Sequence, residues 1–154
     1  MFRTLAVVAA TTLALPAFAD GHSVDLTATG DAAAGEKAFR QCVSCHVVVN
    51  DEGETLAGKS GKSGPNLFGI IGNKFGQVDG FRYSDINQIA AADDSVIVNE
   101  EVFVAYVQDP TAYLREATGD KGRSKMTFKV RKEEDALNLY AYLASIATNP
   151  DAAN

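Results

Sequence analysis

The sequence predicts a small all-α domain with long loops. Three observations point there. Apolar residues recur at helical spacing in several stretches, helix-capping residues stand directly before them, and no run alternates convincingly with the two-residue period of a strand. No internal repeat is present.

Asp31 is placed to cap a first helix over about Ala32 to Cys42, in which Phe39 is the large apolar residue and Gly35 lies four positions earlier on the same side. Ser84 caps a short helix running to about Ala91. Asn99 caps a stronger one, with Glu100 and Glu101 suited to the positive end of the helix dipole and Phe103, Tyr106 and Val107 on one stripe. Pro110 stops that helix and starts another, with Asp109 as cap and Tyr113 and Leu114 inside. The last helix runs from about Lys132 to Thr148, with Ala136, Leu139, Tyr140, Leu143 and Ile146 at helical spacing, and Asn149-Pro150 ends it. Between these elements, Val48 to Gly76 reads as loop. It carries the turn signals Asn50-Asp51-Glu52-Gly53, Gly58-Lys59-Ser60-Gly61 and Gly64-Pro65-Asn66. A loop this long in a compact domain usually has a job or is disordered. Gly119 to Arg131 is a basic loop.

The chain begins with an export leader. Arg3 supplies the positive end, Leu5 to Leu15 is apolar apart from two threonines, and Ala17-Phe18-Ala19 fits the small-x-small cleavage rule. The run is too short for a membrane anchor, which needs about 20 apolar residues. The expected organisation is a leader over 1–19, cut after Ala19, a flexible mature N-terminus over 20–30, one domain over 31–148 and a tail over 149–154. The formal net charge is −6, and the leader holds one base and no acid, so cleavage makes the chain more acidic still. That balance argues against nucleic acid as a partner.

Export would place Cys42 and Cys45 in an oxidising compartment. They belong to Cys42-Val43-Ser44-Cys45-His46, a C-x-x-C-H sequence, the signature of c-type haem attachment. Positions i, i+3 and i+4 of a helical turn face one way. Two thiols can therefore add to the two haem vinyl groups while the adjacent imidazole meets the iron. A thioredoxin-like pair would need a strand before the motif and a βαβ pattern, which is absent. A structural zinc site wants four ligands, and the only other histidine is His22, near the N-terminus. For the sixth position on iron, the one methionine besides the initiator is Met126, in the loop Ser124-Lys125-Met126-Thr127-Phe128. The plainer role of a methionine is to fill a core gap. Its place between Lys125 and Lys129 makes core filling the less natural reading and axial ligation the more natural one.

With these residues in hand, the sequence resembles class I cytochromes c, most closely the longer bacterial cytochrome c2 type. The resemblance runs from Gly30 to about Ala147. It rests on Gly35 and Phe39 before the C-x-x-C-H motif, Gly64-Pro65-Asn66-Leu67, Gly80-Phe81-Arg82-Tyr83-Ser84-Asp85, Tyr106 before Asp109-Pro110, Lys125-Met126-Thr127-Phe128, and Ala141-Tyr142-Leu143. It implies a cytochrome c fold of about five short helices and long loops around one covalently attached haem c. Cys42 and Cys45 would hold the haem, and His46 and Met126 would be the axial iron ligands. The Pro65 carbonyl would accept the imidazole N–H, which orients the ring and strengthens it as a donor. Tyr106 would lie near the Met126 sulfur, Tyr83 and Asn87 toward a propionate, and Phe128 over the haem edge. Gly35 would sit where the first and last helices cross, with Phe39, Leu139 and Tyr142 around it. Two departures stand out. The family often has a tryptophan near the position of Val98, and many members have arginine where this chain has Asn73. A buried propionate would lose two donors there, a cost unless another group replaces them.

Residues 115–132 hold seven bases against Glu116 and Asp120, whereas 79–109 hold seven acids and only Arg82. The basic segment surrounds Met126. A charge run is usually just a solvated face, but this one coincides with the proposed ligand loop and suits steering onto acidic docking faces. The function the resemblance implies is that of a monomeric periplasmic one-electron carrier. It would not be membrane-embedded, and would not be an enzyme. The donor would be a membrane cytochrome bc1 complex, and the acceptor an oxidase, a reaction centre or a reductase. Two rival readings are an open-iron enzyme or gas sensor, which needs a vacant axial position, and a haem-free thiol-disulfide protein.

Overall fold

The structure is a computed structural model and describes residues 24–147. The leader, its cleavage point, His22 and the expected helix end at Thr148, Asn149 and Pro150 lie outside the described residues. Within them there are five helices and one small sheet: α1 (Ala32–Phe39), β1 (Val48–Val49), β2 (Thr55–Ala57), α2 (Asp85–Ala91), α3 (Glu100–Gln108), α4 (Pro110–Thr118) and α5 (Glu133–Ile146).

Three caps act through their side chains. The Asp31 carboxylate accepts from the amides of Ala33 and Ala34, Asn99 from Val102, and Asp109 from Ala112, with Pro110 at the first position of α4. Ser84 precedes α2 but makes no such bond. Its hydroxyl donates instead to Asn87 Oδ1 at 2.8 Å. The structure departs from expectation at two further points. Helix α1 stops at Phe39 rather than Cys42, because the amides of Gln41 and Cys42 bond three residues back, to Ala38 and Phe39, and the chain tightens into consecutive turns. The loop after the C-x-x-C-H motif holds a hairpin. Here β1 and β2 pair antiparallel, Val48 with Ala57 and Val49 with Thr55, with an irregularity between. The signal Asn50-Asp51-Glu52-Gly53 is its turn. The Asn50 side chain accepts from the Glu54 amide at 2.8 Å, and Gly53 takes φ +81°.

The frame that fixes the rest is the crossing of α1 and α5. A Cβ at Gly35 would overlap the Asn138 carbonyl, and one at Gly30 would overlap the Leu137 carbonyl, so both backbones pass at glycine distance. Phe39 and Tyr142 pack at 5.5 Å between ring centroids, and Tyr140 meets Phe103 of α3 at 5.7 Å. Ala136, Leu139, Tyr140 and Leu143 of α5 are buried. The segment before α1 is tied to this frame. Tyr140 Oη donates to the Leu26 carbonyl at 3.1 Å, the amide and hydroxyl of Thr29 donate to the two Glu100 carboxylate oxygens at 2.8 and 2.9 Å, and the Asp31 amide donates to Asn138 Oδ1 at 2.7 Å. On the other side, α2 packs on α4, and Ile86 of α2 and Leu114 of α4 are both almost fully buried. No described helix is long and apolar enough to cross a membrane.

Candidate functional site

The Cys42–His46 turn hangs off the end of α1. The Cys42 carbonyl accepts from the amides of both Cys45 (3.0 Å) and His46 (2.9 Å), which sets the turn. Later residues brace it. The Gly64 amide donates to the Cys45 carbonyl at 2.9 Å, and a side chain at Gly61 would strike the backbone of Cys45 and His46, while one at Gly64 would strike the His46 ring. His46 Nδ1 lies 2.9 Å from the Pro65 carbonyl. Asn66 secures that loop by bonding both the amide and the carbonyl of Val49, at 2.9 and 2.7 Å.

The electrostatics of the turn follow from its burial. Desolvation holds the His46 imidazole below its ordinary pKa, against the opposing pull of the Pro65 carbonyl. A neutral ring that donates from Nδ1 carries its lone pair on Nε2. Burial pushes the Cys42 thiol up to about 11, with Cys45 adding to the rise. Hydrogen bonds from Ser63 and Ser44 lower the exposed Cys45. The two thiols are therefore presented differently, one half-buried and one open to solvent.

On the far side of the sequence, Met126 is half-buried and packs on the core. Its amide donates to Ser124 Oγ at 3.1 Å, that hydroxyl lies 3.2 Å from Tyr106 Oη, and the Ser124 amide donates to Thr111 Oγ1 at 3.2 Å. A polar chain thus links α3 and α4 to the Met126 loop, while within α2 Asn87 accepts from Ser84. Tyr106 packs edge-on against Phe75 at 5.1 Å and Tyr113 at 5.9 Å, and its phenol is raised by burial. Tyr83 Oη accepts from the Val78 amide at 3.3 Å. Phe128 is 43% exposed. Ser124, only 6% exposed, was not among the residues singled out from sequence. Its only signal there was its place two residues before Met126.

Asn73 and Val98 prove to be neighbours. The Val98 amide donates to the Asn73 carbonyl at 2.9 Å, beside the bridge between Lys74 and Ile97. The Asn73 side chain is turned to the Gly69 carbonyl, and Val98 is buried. Among the described residues, every fully buried side-chain nitrogen and oxygen has a hydrogen-bond partner.

These features fit a haem. Among the described residues no three His, Cys, Asp or Glu side chains gather into a cage of the kind zinc takes. The imidazole is oriented through Nδ1. Cys42, Val43, Leu67, Phe68, Ile70 and Met126 pack on the core yet stay half-buried, which leaves apolar surface for a flat apolar group to cover.

Arg82, Arg123 and Lys125 line one hollow of about 650 Å³ together with Tyr83, Ser84 and two acids, Asp85 and Asp120. Lys125 bonds the Arg82 carbonyl there. Two further members of the basic segment are engaged: Lys129 pairs with Asp109 at 2.5 Å, and Arg115 binds backbone carbonyls. Glu100, Glu101 and Glu133 gather along a separate groove between α3 and α5.

No protein-family profile matches the chain. Among curated proteins, it is 60% identical over 124 residues to the cytochrome c2 of Rhodovulum adriaticum, covering 80% of this chain and 98% of that one. It is 46% identical over 149 residues to the cytochrome c2 of Cereibacter sphaeroides, covering 96% and 97%. Among solved structures, the cytochrome c2 from Rhodobacter sphaeroides superposes with a TM-score of 0.75 at 50% identity, over 79% of this chain and 99% of that one. The cytochrome c2 isolated from Paracoccus denitrificans gives 0.73 at 38% identity, over 79% and 98%.

Proposed function

Because the chain belongs to the cytochrome c2 family of class I c-type cytochromes, a family of electron carriers bearing one covalent haem c, we propose that it is a soluble periplasmic shuttle with His/Met-ligated iron. Cys42 and Cys45 form the thioether links, and His46 and Met126 are the axial ligands. When bound, the haem supplies the ferrous–ferric couple that carries one electron. The observation that carries the assignment is the His46 ring, whose Nδ1 is committed to the Pro65 carbonyl at 2.9 Å and whose Nε2 is thereby the nitrogen left for iron.

The surrounding residues hold the ligands still. Ser124 and Tyr106 fix the backbone of Met126 and the wall beside its sulfur. Asn87, Ser84 and Tyr83 form the polar end of the pocket, toward a propionate, and Phe128 shields the haem edge. The hollow where Arg82, Arg123 and Lys125 outnumber Asp85 and Asp120 is a docking face for acidic redox partners. By family resemblance these are a cytochrome bc1 complex as donor and an oxidase, reaction centre or reductase as acceptor. Such encounters are small and brief, which suits a monomer. Export follows from a leader over 1–19 cut after Ala19, giving a start over 20–30 whose described part, expected from sequence to be flexible, is held to the frame through Leu26 and Thr29, the haem domain over 31–148 and a tail over 149–154.

The test is a visible spectrum of the purified ferric and ferrous protein, made in a host that matures c-type cytochromes, with and without Met126→Ala. The expected wild type keeps its haem through acid-acetone extraction and shows the ferric iron–sulfur charge-transfer band. The variant keeps the haem, loses the band and binds carbon monoxide readily when reduced. A wild type that already binds carbon monoxide rapidly would point to open iron and against a carrier.

A further inference from the structure

We propose that Arg115 is a positioning residue for the Met126 segment, acting through the carbonyls of Lys121 and Gly122; this rests on the reading of Met126 as an iron ligand. Arg115 lies in the last turn of α4 and by sequence counts among the docking cations. Its guanidinium instead folds over the turn that follows α4. Nε donates to the Gly122 carbonyl at 2.9 Å and Nη2 to the Lys121 carbonyl at 3.0 Å. A planar fork is suited to gripping two successive acceptors, which a lysine ammonium is not. The Arg115 carbonyl also accepts the amide of Gly119, the left-handed residue that closes α4, at 2.9 Å. One residue therefore fixes both the start and the middle of the turn that leads toward Met126.

The turn passes that constraint on. The Asp120 carboxylate accepts from the Gly122 amide at 2.6 Å, and Gly122 lies against Ile86, where an added Cβ would come within 3.0 Å of the Ile86 Cβ. Two residues later the Ser124 amide is held by Thr111, and its hydroxyl receives the Met126 amide. From Arg115 the constraint passes by hydrogen bonds to Gly122, along the chain through Arg123, and by hydrogen bonds from Ser124 to Met126. The arginine is exposed, so its removal leaves no core cavity. What it removes is two charge-assisted bonds to the backbone.

The experiment is an imidazole titration of the ferric holoprotein. Exogenous imidazole reaches the iron only when Met126 has left, so its apparent affinity reports how often the segment opens. Arg115→Ala should raise that affinity about tenfold, the scale expected for losing hydrogen bonds from a charged donor. The charge-transfer band should also fade at a lower temperature, with little change in the global urea midpoint read by far-UV circular dichroism. Arg115→Lys should fall between, since it keeps the charge and loses the fork. Should Arg115→Ala give no holoprotein, Arg115→Gln is measured instead, with the same direction expected. An unchanged affinity and band in Arg115→Ala, or an affinity that moves only in step with global unfolding, overturns the proposal. A wild type without the band removes the ligand reading and this inference together; a wild type with it and an indifferent variant removes this inference alone.

Discussion

Met126 is tethered by its backbone to Ser124: the Met126 amide donates to the serine hydroxyl at 3.1 Å, and the same hydroxyl pairs with Tyr106. Ser124→Ala leaves that amide and the phenol without this partner in a nearly dry place. The expected cost is about 1–3 kcal/mol, and the ferric charge-transfer band should weaken before the fold does. Parallel thermal melts at that band and in the far ultraviolet check this. Coincident melts that match wild type would show that the hydroxyl holds nothing.

Two glycines should respond differently to the same substitution. Gly35→Ala drives a methyl into the Asn138 carbonyl across the helix crossing. The overlap is with backbone, so the cost should reach about 3 kcal/mol or more. At Gly119 the space is open and only the left-handed conformation resists, at φ +71°. Gly119→Ala should cost about 1–2 kcal/mol. Urea midpoints of the two variants give the order directly.

Tyr140 ties stability to alkaline pH. Burial, with Glu100 and Asp25 nearby, pushes its phenol up to about 12 from an ordinary 10. The folded protein thus favours the neutral phenol. The stabilisation is complete below pH 10 and disappears as pH rises through about 12. The difference in unfolding free energy between wild type and Tyr140→Phe should shrink by about 2–3 kcal/mol across that window. A constant difference from pH 9 upward would contradict it.

The basic hollow should make encounter rates depend on salt. Electron transfer with an acidic redox partner should slow as ionic strength rises, and Arg123→Gln should flatten that dependence without moving the visible spectrum. Stopped-flow rates between low and physiological salt are the measurement. Rates indifferent to salt would leave the docking face without support.

Much of this architecture can be read from residue chemistry alone. Asp31, Asn99 and Asp109 announce helix starts because short polar side chains reach free amides, and each is seen doing so. The C-x-x-C-H motif is legible because its spacing serves one chemistry. The hairpin was not legible, since strands of two and three residues are too short for an alternating pattern to register. Nor was the early end of α1, where the amides of Gln41 and Cys42 bond three residues back, a tightening that no local residue pattern marks. Charged residues were read by sign and not by partner. Glu100 appeared as a complement to the dipole, yet its carboxylate binds Thr29, and Arg115 appeared as a docking cation, yet it binds carbonyls. Such pairings arise from tertiary placement, which a local pattern does not carry.

The bracing of the Cys42–His46 turn by Gly61, Gly64 and Pro65 has a consequence for the order of assembly. Those residues are synthesised after the motif, so a chain caught before they have emerged presents two reactive sulfurs on an unsupported stretch. Cys42, half-buried in the finished turn, stays open to solvent until those residues arrive.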